Sequence, residues 1–190
     1  MNPGSIMRSA LIALGSNKAG PLGAPLQTMR AAVAMLQSSG IRVVRVSSLY
    51  NTEPFGSTRQ ASYLNAVILV RINSAPTALL RRLKTIERAA GRRLGTHWGP
   101  RPIDLDIIDI SGRVINWPPH QRIRGRLVLP HPEAHKRAFV LVPLLDVLPT
   151  WQHPALRIAG TVLLHRLGPQ RRGVRRVIDS RWISCEEEES

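Results

Sequence analysis

Two aspartates separated by a single residue are the strongest candidates for chemistry in this sequence. Asp104 and Asp106 lie in an apolar run that ends at Ile110. Because successive side chains of an extended strand alternate between its faces, both carboxylates project from one face, roughly 6 to 7 Å apart at Cα. Oxygens at that spacing can hold one or two Mg²⁺ ions, whose other positions are usually taken by water or substrate phosphates. The alternative is an exposed strand face whose acids pair with arginines.

Arginines and a tryptophan precede this pair. The upstream segment carries Arg92, Arg93, Trp98 and Arg101. Guanidinium groups bind phosphates through paired N–H donors, and carboxylates can hold the metal that those phosphates bridge. The context therefore favours a site for metal-bridged phosphates. Asp109 has the opposite strand parity and is expected to be a strand-end residue without such a role.

A second candidate phosphate contact is His131, which lies between Arg126 and Arg137. A structural histidine remains the alternative. The sequence has neither Gly-x-x-x-x-Gly-Lys-Ser/Thr nor Gly-x-Gly-x-x-Gly, so the glycine-rich loops that cradle phosphates are absent. Nucleotide phosphates would have to be bound by side chains and metal.

The charge balance favours an anionic partner. The chain has 27 Lys and Arg against 12 Asp and Glu, a net charge of +15, and four of the acids form the terminal run Glu186 to Glu189. Only three of the bases are lysines, and the planar arginine side chain suits phosphate and carboxylate recognition. GC-rich coding explains the same bias, so charge alone does not identify the partner.

The elements that must position these residues follow from hydrophobic periodicity. The pattern predicts strand, helix, two strands, helix and strand, which is the ferredoxin-like plan of an antiparallel sheet with helices on one face. Ser111-Gly112 is predicted to be a hairpin turn into Val114-Ile115. Two further helices are predicted after this unit, as a C-terminal helical extension of an α+β fold. The predicted strands are 9–14, 41–50, 63–72 and 103–110, and the predicted helices begin at Pro25 and Pro76 and, in the extension, span 140–148 and 158–167.

Length and composition predict one domain. With 190 residues and 43% hydrophobic residues, the chain can bury a core without disulfides. We expect an N-terminal extension over 1–7, one catalytic domain over 8–170, and a basic then acidic tail over 171–190. Cys185 is the only cysteine, and no signal peptide or apolar run of membrane-spanning length is present. These features predict a cytoplasmic protein with no membrane partner.

The order of short motifs resembles the 6-hydroxymethyl-7,8-dihydropterin pyrophosphokinase family of folate biosynthesis. The resemblance covers about residues 8–149, and its most specific part is the string from Trp98 to Asp106. The matching motifs are Leu14-Gly-Ser-Asn17, Tyr50-x-Thr52-x-Pro54-x-Gly56, Tyr63-Leu-Asn65-Ala-Val67, Ile86-Glu87 leading to Gly91-Arg92, Trp98-Gly-Pro-Arg101-x-x-Asp104-Leu-Asp106, and Pro130-His131 with Arg137-x-Phe139-Val-Leu.

The resemblance implies a Mg²⁺-dependent diphosphokinase that moves pyrophosphate from ATP to the pterin hydroxymethyl oxygen and releases AMP. It implies that Asp104 and Asp106 bind two Mg²⁺ ions, that Asp104 also approaches the pterin hydroxyl, and that Arg92 and Arg101 join them in catalysis. Small-molecule substrates, no specific nucleic acid, and association with other folate-pathway enzymes are the partners that it implies.

The resemblance also assigns the two substrate pockets. Ordinary core aromatics at Tyr63 and Phe139, and a strand-end cap at Asn65, are the alternatives for individual residues. The implied pterin residues are Thr52, Pro54, Phe55, Tyr63, Asn65, Trp98, Asp104 and Phe139. The implied ATP residues are Leu80, Glu87, Arg92, Arg101, Ile107, Arg126, Leu127, His131 and Arg137.

Three positions depart from the family pattern. Leu94 stands where a second arginine is common, His97 where a basic residue precedes the tryptophan, and Pro132 where some members have an aromatic residue. All three substitutions fall on the nucleotide side of the site. The resemblance therefore supports pterin recognition more strongly than it supports ATP affinity. Arg93 is a candidate replacement for the missing arginine.

The main rival function is a nucleic-acid-binding ferredoxin-like module. Such sheets stack bases on exposed strand aromatics, and the predicted strands offer only Tyr50 and Tyr63. Asp104 and Asp106 would repel phosphates unless metal intervened, although the arginines of 171–181 would add nonspecific affinity. A degenerate pyrophosphokinase acting as a partner subunit is a third reading, against which the intact aspartate pair argues.

Overall fold

The computed structural model of the protein describes residues 7–53, 61–92, 101–118 and 127–183. Four of the predicted site residues therefore lie outside the described residues: Pro54, Phe55, Trp98 and Arg126. The departures at Leu94 and His97 also lie outside them. The described elements, in chain order, are β1 (Arg8–Ser16), α1 (Pro25–Ser38), β2 (Arg42–Val46), β3 (Leu49–Thr52), β4 (Tyr63–Ile72), α2 (Pro76–Ala89), β5 (Asp104–Ile110), α3 (Ala138–Val147), α4 (Gly160–Arg166) and β6 (Val174–Ile178).

An α+β fold with one antiparallel sheet is observed, as predicted. Its strand order is β5-β1-β4-β3-β6, and β2 also pairs with β4. The strand β1, which lies between β5 and β4, places Gly15 opposite Asn65 on one side and opposite Asp104 on the other. The end of β1, the start of β4 and the start of β5 therefore meet at the same edge, where the predicted pterin and metal residues lie.

The helices cover both faces of the sheet: α1 and α2 share one face, and the two later helices α3 and α4 lie on the other. The first core cluster joins Ile12 and Leu14 to α1 and α2, and the second joins Leu11, Val67 and Ile108 to α3 and α4. Both side-chain parities of β1 are apolar and buried, so the sheet needs a layer of helices on each side. Proline in the first turn begins both α1 and α2, as the sequence predicts.

Two predicted strand features differ in the structure. The single strand expected over 41–50 divides into β2 and β3, because Ser47 interrupts the ladder and its Oγ accepts a hydrogen bond from the Val67 N–H at 2.9 Å. The turn at Ser111 does not open a hairpin with β5. Ile115 instead forms an isolated bridge with Leu129.

The segment expected to be a C-terminal tail contributes to the sheet and the core. Strand β6 pairs with β3, and Trp182 is 1% exposed in the first core cluster. The indole Nε1 of Trp182 donates to the Ser47 carbonyl at 2.9 Å. The arginines of this segment obscured the short apolar pattern of the strand, in which every residue except Val174 is exposed. In the part of the chain that the structure describes, no helix is long and apolar enough to cross a membrane.

Candidate active site

Asp104 and Asp106 project from one face of β5, as their spacing predicts. Their side chains are 30% and 35% exposed, whereas Leu105 and Ile107 point into the core. Because Ile108 continues the parity of the two aspartates and packs under α3, the carboxylates lie on the α3 face of the sheet. Asp109 lies elsewhere: its carboxylate accepts hydrogen bonds from Trp151 Nε1 at 3.0 Å and from the Gly112 N–H at 2.9 Å.

Two arginines hold the Asp104 carboxylate. Arg101 Nη1 lies 3.0 Å from Oδ2, and Arg92 Nη1 donates to Oδ1. Burial acts to raise the pKa of Asp104, but the guanidinium groups of Arg92 and Arg101 outweigh it and lower that pKa below its ordinary value. Asp104 is therefore ionised at neutral pH, and each of its two carboxylate oxygens can interact with a metal ion or another cation.

Glu87 links α2 to this cluster from below the sheet. It is 2% exposed, and Oε1 accepts hydrogen bonds from the Leu105 N–H at 2.8 Å and Lys84 Nζ at 2.9 Å. The same oxygen lies 2.5 Å from Arg92 Nη1. Burial raises the pKa of Glu87, against the opposing effect of Lys84. These contacts orient Arg92, while the contact of Glu87 with ATP stays a prediction.

His131 faces the second aspartate. Its Nε2 lies 3.9 Å from Asp106 Oδ2, and its Nδ1 accepts a hydrogen bond from the Glu133 N–H at 3.2 Å. That acceptor role leaves the proton of the neutral ring on Nε2, directed toward the carboxylate. Burial lowers the pKa of His131, and the neighbouring Asp106 opposes this shift.

The predicted pterin residues Thr52, Tyr63 and Asn65 are brought together by the pairing of β3 with β4. Thr52 is opposite Tyr63, and Asn65 Nδ2 donates to Thr52 Oγ1 at 2.8 Å. Asn65 is 5% exposed and is the third residue of β4, so it is not a strand-end cap. Its parity matches that of Val67, which places it on the α3 face with the aspartates.

Gly15 separates the pterin residues from the aspartates and was not predicted as a site residue. It lies between Asn65 and Asp104 in the register of the sheet, so their Cα atoms are about two strand spacings, roughly 10 Å, apart. A Cβ atom at Gly15 would lie 3.4 Å from Asn65 Oδ1. The missing side chain therefore leaves space on the α3 face between the two groups. The Leu14-Gly-Ser-Asn17 motif was the signal available in the sequence.

The remaining predicted residues that the structure describes lie in or beside the two core clusters. Phe139, near the start of α3, is partly buried, and the Arg137 guanidinium carbon lies 5.8 Å from its ring centroid. The contact of Phe139 with a pterin stays a prediction. Three of the predicted ATP residues pack at the first core cluster: Leu80 and Leu127 are partly buried and Ile107 is 4% exposed.

Comparisons with known proteins identify the family. The family model described as 7,8-dihydro-6-hydroxymethylpterin-pyrophosphokinase (HPPK) matches residues 11–149. The chain is 37% identical over 146 residues to the Synechocystis 2-amino-4-hydroxy-6-hydroxymethyldihydropteridine pyrophosphokinase, covering 76% of this chain and 69% of the relative. It is 36% identical over 181 residues to the Mycobacterium bovis protein of the same name, covering 86% of each.

Longer proteins also match. The mitochondrial folate synthesis bifunctional protein of Arabidopsis thaliana is 39% identical over 144 residues, which is 76% of this chain and 24% of that protein. The crystal structure of wild-type Plasmodium falciparum HPPK-DHPS with pteroate has a TM-score of 0.67 at 13% identity, covering 93% of this chain. The chain spans 47% of that solved chain, and the likeness shows the fold alone. With the family match and these relatives, the chain belongs to the 7,8-dihydro-6-hydroxymethylpterin-pyrophosphokinase family.

Proposed function

We propose that this protein transfers pyrophosphate from ATP to the hydroxymethyl group of 6-hydroxymethyl-7,8-dihydropterin and releases AMP, as a step of folate biosynthesis. One observation carries the proposal: Asp104 and Asp106 face the same side of the sheet as Asn65 and Tyr63, with Gly15 between them. The proposed phosphate site and the proposed pterin site would therefore lie side by side. The relatives from Synechocystis and Mycobacterium bovis carry the name of this enzyme.

The aspartate pair fits Mg²⁺. Both carboxylates are partly exposed hard oxygen donors on one strand face, and two such donors leave positions for water and phosphate oxygens. We propose that Asp104 and Asp106 hold two Mg²⁺ ions, which would bridge the ATP phosphates and offset their charge. In the described residues no three His, Cys, Asp or Glu side chains converge on a metal position, so substrate oxygens would complete the shell.

The arginines supply the remaining positive charge. Arg92 and Arg101 already neutralise Asp104, so metal bound to that carboxylate would leave their guanidinium groups available to the phosphates. Such donors stabilise the charge on the phosphate oxygens as pyrophosphate moves, because they are held in place beforehand. No protein nucleophile is needed. Arg126, His131 and Arg137 are proposed further phosphate contacts, and Leu80, Ile107 and Leu127 are proposed around adenine.

The pterin would lie on the α3 face beside Gly15. The hydrogen bond from Asn65 Nδ2 to Thr52 Oγ1 fixes which way the amide points, and a fixed amide can read the edge of a pterin ring. Tyr63 and Phe139 are the proposed stacking partners, and Asp104 would receive the hydroxymethyl group at the phosphate side.

We also infer the finer description of the fold. Counting β2 and β3 as one strand, the first part of the chain follows the strand-helix-strand-strand-helix-strand order of the ferredoxin-like plan, and α3 and α4 form a helical extension. One domain that includes residues 8–170 is proposed. Cytoplasmic location and association with other folate enzymes stay predictions. The nucleic-acid alternative has no support among the relatives.

The decisive assay follows AMP. The purified chain is incubated with ATP, the hydroxymethyl-dihydropterin and Mg²⁺, and adenine nucleotides and pterin diphosphate are separated by chromatography. Equal amounts of AMP and pterin diphosphate are expected, only when both substrates are present. Formation of ADP would indicate single phosphoryl transfer and would contradict the proposal, as would the absence of AMP from a protein shown to be folded.

A further inference from the structure

Asn17, directly after β1, is a buried polar residue that reaches both halves of the proposed site. It is 5% exposed. Its Oδ1 accepts a hydrogen bond from the Arg101 N–H at 2.8 Å, and its Nδ2 donates to the Ala61 carbonyl at 3.3 Å. The backbone N–H of Asn17 also donates to the Arg101 carbonyl at 3.2 Å. One side chain therefore holds two backbone segments that are distant in sequence.

Each segment leads to a group of the site. Arg101 is the residue whose guanidinium lies 3.0 Å from Asp104 Oδ2. Ala61 lies two residues before Tyr63. Burial raises the pKa of the Tyr63 hydroxyl, and the Arg101 guanidinium opposes this shift. Asn17 thus contacts the phosphate side through the backbone of Arg101 and the pterin side through the backbone of Ala61.

The neighbouring contact of Ser16 strengthens the attachment on one side only. Ser16 Oγ donates to the Pro102 carbonyl at 2.5 Å and is fully buried. Both Ser16 and Asn17 therefore hold the segment that precedes β5. Of these two residues, Asn17 is the one that also forms a hydrogen bond with Ala61. Loss of Asn17 should consequently disturb the link between the two segments more than the position of β5 itself.

We propose that Asn17 is a positioning residue that couples pterin binding to nucleotide binding. The inference rests on the proposed function and adds a pathway between its two pockets: the amide joins the backbone beside Tyr63 to the backbone beside Asp104. A pterin that orders Tyr63 orders Arg101 through this amide, so each substrate binds more tightly in the presence of the other.

The test compares Asn17→Ala and Asn17→Asp with the wild type. Ala removes both side-chain hydrogen bonds, whereas Asp retains an acceptor for the Arg101 N–H and loses the donor to Ala61. Trp182→Phe is the matched control, because it removes one buried hydrogen bond, to Ser47, on a residue outside the proposed site. Thermal unfolding first defines a temperature at which all four proteins are folded.

The readout is the pterin Kd, measured by calorimetry without nucleotide and with saturating Mg²⁺ and α,β-methylene-ATP, whose bond between the α and β phosphorus atoms cannot be cleaved. The ratio of the two Kd values is the coupling. We expect the same ratio in the wild type and in Trp182→Phe. In Asn17→Ala we expect the ratio to fall roughly tenfold, or to reach the value that means no coupling. Asn17→Asp should lose the coupling while keeping the Kd of the analogue alone.

Coupling in Asn17→Ala equal to that of Trp182→Phe would overturn the inference, because the amide would then contribute to stability alone. If Asn17→Ala does not fold, wild-type coupling in Asn17→Asp overturns it in the same way. Failure of the proposed function is distinguishable, since the wild type itself would then bind no pterin or form no AMP. If the wild type binds the pterin equally well with and without the ATP analogue, the inference is overturned. The proposed function would then still be decided by the AMP assay.

Discussion

At the scale of single residues, the site is a chain of alternating charges. Glu87, Arg92, Asp104 and Arg101 follow one another through ion pairs, and three of the four are partly exposed on the α3 side or at the sheet edge. A buried carboxylate at Glu87 is tolerated because Lys84, Arg92 and a backbone N–H satisfy it. These ion pairs hold the charged side chains in fixed positions relative to one another, which is the condition for electrostatic catalysis.

Two aspartates of β5 provide a matched pair of carboxylate variants. Asp106→Ala should lower kcat by roughly a thousandfold or more, because a proposed metal ligand is lost, while the pterin Kd changes little. Asp109→Asn should keep turnover near wild type, because the partners of Asp109 are Trp151 and Gly112. Steady-state assays of AMP formation and calorimetric pterin titrations provide the measurement. Normal turnover in Asp106→Ala would remove the metal assignment.

At the scale of elements, an aromatic cluster packs the segment after α3 against the short 3₁₀ turn at Ala134–Lys136. The ring of His153 lies 5.2 Å from that of His135 and 5.1 Å from that of Trp117, and His153 is fully buried. Its Nδ1 accepts a hydrogen bond from the Leu156 N–H at 3.0 Å. Burial, with a smaller effect of His135, lowers the pKa of His153 to about 4. The cluster therefore needs a neutral ring at this position.

This cluster predicts acid sensitivity of the fold. The unfolded chain binds a proton at His153 below its ordinary pKa of 6.5, and the folded chain binds it only near 4, so stability falls as pH drops between those values. The difference corresponds to about 3 kcal/mol at most. Urea unfolding at pH 7 and pH 4.5 should show a smaller loss in His153→Asn, which keeps an acceptor for Leu156. Equal losses in both proteins would show that other groups cause the acid sensitivity.

At the scale of the whole molecule, residues beyond the family match complete the sheet. The match ends at residue 149, yet β6 pairs with β3, whose last residue Thr52 contacts Asn65. Trp182 fills the first core cluster, and Arg30 Nε donates to its carbonyl at 2.5 Å. The C-terminal segment therefore supports the strand that carries the pterin side of the site.

Truncation tests this role. A chain ending at Gln170 should unfold at a much lower urea concentration than one ending at Ile183, because it lacks β6 and the Trp182 side chain. Trp182→Ala alone should cost about 3–5 kcal/mol, as expected for an emptied aromatic core position. Denaturant unfolding followed by circular dichroism measures both. Equal midpoints for the two truncated chains would show that β6 and Trp182 add nothing to stability.

The sequence by itself determined the order of the elements from β1 to α4, the shared face of Asp104 and Asp106, and the family. Strand alternation, helix periodicity and adjacent motif residues are local properties, and they can be read without knowing what packs against what. The C-terminal strand was missed because four arginines at 171–176 obscure its alternation. Its place in the sheet depends on pairing with β3, more than a hundred residues away.

Only the tertiary structure decided which residues share a site. It placed Gly15 between Asn65 and Asp104, directed the buried Glu87 carboxylate at the Leu105 N–H, and joined Asn17 to both Ala61 and Arg101. None of these contacts follows from sequence spacing, because each brings together segments whose separation is set by strand order and by helices on both faces. The chemistry of the aspartates can be predicted from residues that are neighbours in the sequence. The contacts that position the aspartates come from residues far apart in the chain.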